Sequence, residues 1–136
     1  MGDAYVLLHI LHFFSGFCIG ICLGSFATAL IWRIPRKIPW VYDKKDAVRS
    51  MCPSCNTTLE PIDLVPLFSW LCFRGKCRHC KSPVSLIYPL TEAICGIICG
   101  FIFFQWGFTV ESFLIASILL FAGVFFWVGL RKKFWT

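Results

Sequence analysis

The sequence predicts a mainly α-helical membrane protein, with three transmembrane helices and a cytoplasmic zinc-ribbon-like loop between the first and the second. Three observations predict it. The chain is 58% apolar, only 15% charged, and has a mean hydropathy of +0.76. A soluble domain of 136 residues has too little interior to hide that much apolar sequence. The apolar residues also gather into three runs, each long enough for the roughly 20 residues that cross a bilayer. Finally, two CxxC pairs sit in the one polar stretch, between the first and second runs.

The first run extends from Ala4 to Trp32, giving a transmembrane helix within residues 1–32. Met1, Gly2 and Asp3 supply no basic residue ahead of it, and the run is about twice the ~7–15 residues of a signal-peptide core, so it is expected to remain as an anchor. Gly16, Gly20 and Gly24 repeat every four residues. Such spacing lets two helix backbones approach closely. Cys18 and Cys22 read as small apolar fillers, and His9 and His12 as residues of the outer interface.

Residues 33–85 form the polar loop. Ten of the 13 Lys and Arg lie between Arg33 and Lys81, and the remaining three are Arg131, Lys132 and Lys133. By the positive-inside rule the loop and the C-terminus are cytoplasmic and the N-terminus faces out. The net charge of +6 therefore reads as a topology signal and a contact for anionic lipid. It is not a nucleic-acid footprint, because the basic residues are neither gathered on one helix face nor interleaved with stacking aromatics.

Cys52-Pro53-Ser54-Cys55 and Cys77-Arg78-His79-Cys80 fall close to the spacing of four-cysteine zinc ribbons. Cytosolic thiols stay reduced, and a thioredoxin-like redox pair needs a βαβ context that the sequence lacks, so metal is favoured over a disulfide. With four Cys ligands no position is left for an activated water, and the zinc is expected to be structural. Arg74, Lys76, Arg78 and Lys81 are expected to offset thiolate charge, His79 to be solvated, and Cys72 to pack in a small ribbon core. The Leu64–Phe73 run is apolar for a loop, and part of it is expected against the membrane surface.

The second helix is predicted over 86–106 and the third, from Val110 to Leu130, within 107–136. Gly96 and Gly100 continue the four-residue spacing and are expected to pack on the first helix. Glu92 is an acidic residue within a span, which makes it a functional candidate. The alternative is a structural pairing with Arg33 or with the basic loop.

Gly24-Ser25-Phe26, Arg33-Ile34-Pro35, the two CxxC pairs, Asp63–Leu71, and Tyr88-Pro89-Leu90-Thr91-Glu92 stand in an order that resembles the type IV prepilin peptidases over roughly residues 16–100. The resemblance implies an N-terminal domain with a zinc-bound cytoplasmic loop in a bacterial inner membrane. It also implies a prepilin or pseudopilin leader peptide as partner, and S-adenosylmethionine where the new amine is methylated. In that family, proteolysis uses two aspartates of a further membrane region, one in Gly-x-Gly-Asp. Here the aspartates are Asp3, Asp43, Asp46 and Asp63, and no Gly-x-Gly-Asp occurs. The chain is therefore expected to lack catalytic protease residues, to work beside a separate peptidase half, and to leave Glu92 and Arg33 as its functional candidates. Ala27-Thr28 and Ile87 depart from the Asn and Arg usual in the family, and methyl transfer rests on the resemblance alone. The competing readings are an N-methyltransferase acting alone, and a non-enzymatic zinc-ribbon adaptor or gene remnant.

Overall fold

Four helices and one small hairpin follow one another along the chain. In the computed structural model, residues 2–34, 37, 42–43, 46–47 and 49–134 are described, with side chains over 2–34, 37 and 49–126. Helix α1 (Gly2–Arg33) is followed by a hairpin of β1 (Tyr42–Asp43) and β2 (Asp46–Ala47), paired antiparallel. A 3-10 turn (Pro61–Leu64) and the short α2 (Phe68–Cys72) lie in the loop; α3 (Ile87–Trp106) and α4 (Val110–Phe134) complete the chain. Pro35, Arg36, Lys44 and Lys45 of the predicted basic loop fall outside the described residues.

α1 and α3 form the centre of the fold. They are antiparallel and touch through the predicted glycines: Gly16 faces Phe103 and Cys99, Gly20 faces Cys95 and Gly96, and Gly24 faces Glu92 and Thr91. In return, Phe17 and Ile21 fold over Gly96, and Phe13 over Gly100. Removing the side chain from one helix makes a groove that the other fills, which is how small residues hold helices together in lipid. Phe103 is fully buried at this contact, and its ring meets Phe108 and Phe113 edge-on, at centroid distances of 5.0 Å each. Cys95 and Cys99 line the glycine groove, whereas Cys18 and Cys22 are exposed.

The far end of the pair is tied by His9, whose Nδ1 donates to the Phe104 carbonyl at 2.8 Å. Gly107 then stops α3. Its φ of +64° is accessible to glycine at little cost, and its N–H caps the Phe103 carbonyl at 2.8 Å. Thr109 and Ser112 open α4 by reciprocal capping: Ser112 N–H donates to Thr109 Oγ1 at 3.2 Å, and Thr109 N–H to Ser112 Oγ at 3.3 Å.

Among the described residues two helices, α1 and α3, are long and apolar enough to cross a membrane, and Val110–Phe126 of α4 forms a shorter apolar helix. Apolar residues cover the outer surface of α1, including Leu7, Leu11 and Phe14, and of α3, including Ile94, Ile98 and Phe101, all exposed. A helix apolar on all sides, with its outer faces uncovered by protein, matches a lipid surround.

Candidate metal centre

The two CxxC segments fold into the same local structure twice. In the first, Cys52 N–H donates to Thr57 O at 3.0 Å and Asn56 N–H returns to Cys52 O at 2.8 Å. In the second, Cys77 N–H donates to Ser82 O at 2.8 Å and Lys81 N–H to Cys77 O at 3.0 Å. Asn56 and Lys81, at equivalent places, take positive φ values of 54° and 60°. Each knuckle is closed by one antiparallel bridge, Met51 with Thr58 and Lys76 with Pro83.

This repeat brings the sulfurs of Cys52, Cys55, Cys77 and Cys80 within 4.8 Å of one another. Cys52 Sγ and Cys80 Sγ are 3.9 Å apart. Four sulfurs around a zinc at about 2.3 Å stand about 3.8 Å apart, so the cluster has metal-binding geometry compatible with structural zinc.

Electrostatics favour the thiolate at Cys52 and at Cys80. Backbone N–H groups of Cys55 and Ser54 point at the Cys52 sulfur and lower its pKa to about 6 against burial. Ser82 lowers that of Cys80 through its hydroxyl and its N–H. Cys77 receives the N–H groups of Cys80 and His79, but burial and the adjoining Cys52 and Cys80 sulfurs leave its pKa raised. A cation among the sulfurs removes that conflict, because it favours all four thiolates at once.

Several loop expectations are corrected. Arg78 lies in the second knuckle, but its guanidinium turns to Glu60 (2.6 Å) and Asp63 (3.2 Å), whose carboxylates raise its pKa further. Those acids are held by the 3-10 turn, where Glu60 N–H donates to Asp63 Oδ2 at 2.9 Å. The turn is thereby fixed to the metal site. Cys72 is exposed and does not pack in a ribbon core. Ile62, Leu64, Val65, Phe68 and Leu71 are likewise exposed and do not join a ribbon core. His79 is exposed, as the sequence predicts.

Glu92 is 7% exposed, and its Oε2 accepts the backbone N–H of Leu67 at 2.7 Å. Its partner is therefore the main chain of the loop. Leu67 carries a φ of +59°, an uncommon conformation for a branched residue, held where the carboxylate takes its N–H. Arg33, at the end of α1, reaches Ser50 Oγ at 3.4 Å, next to the first knuckle. The two candidates thus contact the loop at separate points, Arg33 at Ser50 and Glu92 at Leu67.

Trp70 completes the clamp. Its Nε1–H donates to Val84 O at 3.2 Å and its ring lies over Gly75, where a methyl group would stand 2.6 Å from Cζ2. With φ at +66°, Gly75→Ala combines backbone strain with this clash. We expect the alanine variant to surrender zinc faster than the parent to a chromogenic chelator. Glu92→Ala leaves the Leu67 N–H without its acceptor, a loss of about 1–3 kcal/mol in a buried setting. Limited proteolysis should then open the 64–72 segment, whereas Glu92→Gln, which keeps an acceptor oxygen, should be cut more slowly than the alanine variant.

A membrane-type helix pair carrying a four-cysteine double knuckle is the class of protein that these features define. The chain belongs to the family of the bacterial peptidase A24 N-terminal domain, whose model matches residues 18–106. It is 39% identical over 104 residues to a prepilin leader peptidase/N-methyltransferase of Vibrio cholerae, covering 74% of this chain and 41% of that protein. Identity to the protein of the same description in Myxococcus xanthus is 37% over 95 residues, 70% of this chain and 27% of the other. A type 4 prepilin-like proteins leader peptide-processing enzyme of Escherichia coli is 31% identical over 121 residues, 77% and 45% of the two chains. The chain thus spans less than half the length of these relatives. No solved structure matches.

Proposed function

We propose that the chain acts as the metal-stabilised N-terminal domain in processing of prepilins or pseudopilins, beside a separate catalytic half that cleaves the leader peptide. The match over residues 18–106 carries this reading, since it takes in both knuckles and all of α3. Its placement would be the bacterial inner membrane, with the loop cytoplasmic, the N-terminus outside and α4 as a third span, as the distribution of Lys and Arg supports.

Cys52, Cys55, Cys77 and Cys80 would hold the zinc, which supplies structure and no chemistry. Arg33 and Glu92 would be positioning residues that hold the loop against the helices. Peptide hydrolysis by an aspartic mechanism needs two carboxylates sharing a proton and a water. Glu92 and Glu111 cannot make such a pair, because the rest of α3, about 21 Å of helix, separates Glu92 from the turn before α4. The carboxylates would come from outside these 136 residues.

Co-expression with an aspartate-bearing half and a prepilin tests the proposal. Cleavage is expected with both parts and lost when Cys52→Ser and Cys77→Ser are combined. Equal cleavage by the aspartate-bearing half without this chain would sink it. The relatives' names also carry an N-methyltransferase activity. Transfer of a labelled methyl group to a mature pilin peptide by this chain alone would make it an enzyme in its own right.

A further inference from the structure

We infer that α2 is an interfacial helix embedded in the bilayer leaflet on the loop's side, with acyl chains occupying the cleft between α2 and α3. The inference rests on the reading of α3 as a membrane span. Helix α3 has 20 residues, about 30 Å of helix, which matches a hydrocarbon core of about 30 Å. Read as a span it has little length to spare, which puts Ile87 near the hydrocarbon boundary.

Glu92 lies five residues further in, about 7.5 Å along the axis. The hydrogen bond from Leu67 N–H to Glu92 Oε2, 2.7 Å, brings the start of α2 to that depth. Interfacial helices bury their apolar faces about 5–10 Å into the headgroup and acyl boundary.

The side chains agree with that depth. Phe68 and Leu71 are 55% and 66% exposed, and Ser69 is the one hydroxyl-bearing residue on the helix. Between α2 and α3 lies an open cleft of about 370 Å³, lined by Leu67, Trp70, Leu71, Leu86 and Leu90 among others. Leu86, just before α3, and Leu90 begin an exposed stripe that runs along the helix through Ile94, Ile97 and Phe101. The cleft is therefore continuous with the face that α3 offers to lipid. Arg74 and Lys76, just beyond α2, are exposed and can extend their charges towards headgroups.

The test uses the full chain in nanodiscs, zinc-loaded, with a spin-labelled p-acetylphenylalanine at position 68 or 71, which leaves the nine cysteines untouched. Positions 98 and 81 serve as the membrane and water references. Labels at 68 and 71 should collide with oxygen as the label at 98 does, and should lose most of the collisions with nickel-EDDA seen at 81. Nickel-EDDA collisions at 68 and 71 equal to those at 81 would overturn the inference while leaving α3 in the membrane. Shielding of both positions from both reagents would also overturn it, and would identify a protein surface, such as a second copy, as the occupant. A label at 98 open to nickel-EDDA would remove the reading of α3 itself.

Discussion

Stripping zinc from the chain is expected to unfold the two knuckles, residues 49–63 and 73–84, while the α1–α3 pair persists. Among these loop residues Cys52, Gly75 and Cys77 are the buried ones, and no apolar side chain larger than cysteine joins them. A segment with so little interior cannot offset the conformational entropy of ordering its backbone, roughly 1–2 kcal/mol per residue. Structural zinc in small peptides contributes an apparent ~10–16 kcal/mol, so a zinc held by the four sulfurs would be what chiefly keeps this loop folded. Chelation should therefore expose Arg74, Lys76, Arg78 and Lys81 to trypsin, with far-UV circular dichroism falling only by the short loop elements. The helices depend on glycine packing and on lipid, neither of which involves the sulfurs. Unchanged tryptic protection after confirmed loss of zinc would contradict this account.

Acid should act on the same group of ligands. The Cys52 thiol is lowered from 9.0 to about 6 in the folded loop. A depressed folded pKa gives stability that is complete above the unfolded value, declines as pH falls, and is gone below about 6. Bound zinc holds thiolates to still lower pH, because protons must displace it. Half-release of zinc is thus expected below pH 6, measured by chelator colour across an acid titration.

Those features depend on patterns that a sequence displays. Two CxxC pairs announce a four-sulfur cluster because ligand type and spacing are themselves the signal. Glycines at four-residue spacing in two apolar runs announce a contact face, and α1 and α3 meet there. The partner of Glu92 is not legible in the same way, since a main-chain N–H at Leu67 has no side-chain signature and depends on a positive φ. Arg78 is easily misassigned to the thiolates for a related reason. Glu60 and Asp63 come near it only through the 3-10 turn, while in sequence it sits inside the CxxC. The apolar loop residues look like a ribbon core as composition, but a ribbon this small has no interior, and Leu64, Phe68 and Leu71 face outward.

Gly20→Leu is expected to separate α1 from α3 and give the largest stability loss of any single substitution in the helices. A methyl group at Gly20 would stand 2.5 Å from the Cys95 carbonyl oxygen and 2.8 Å from Gly96 Cα. Both are backbone atoms, so no rotamer change relieves the clash and a whole helix must move. At Gly16 the obstacles include the Phe103 side chain at 2.7 Å as well as the Cys99 carbonyl at 2.8 Å, and at Gly24 the nearest atoms are at 3.0 Å. Overpacking usually costs about 1–3 kcal/mol, and the backbone obstacle puts leucine at position 20 at or beyond the upper end. Alanine substitutions should therefore rank Gly20 as most harmful, Gly16 next and Gly24 least. Gly123, with nothing within 4 Å of an added methyl, supplies the opposite sign. There alanine should stabilise the helix by up to about 1 kcal/mol through propensity alone. Thermal midpoints in one detergent order the four variants. If Gly123→Ala falls alongside Gly20→Ala, general loss of helix flexibility is responsible and the close approach of α1 to α3 is not what holds the pair.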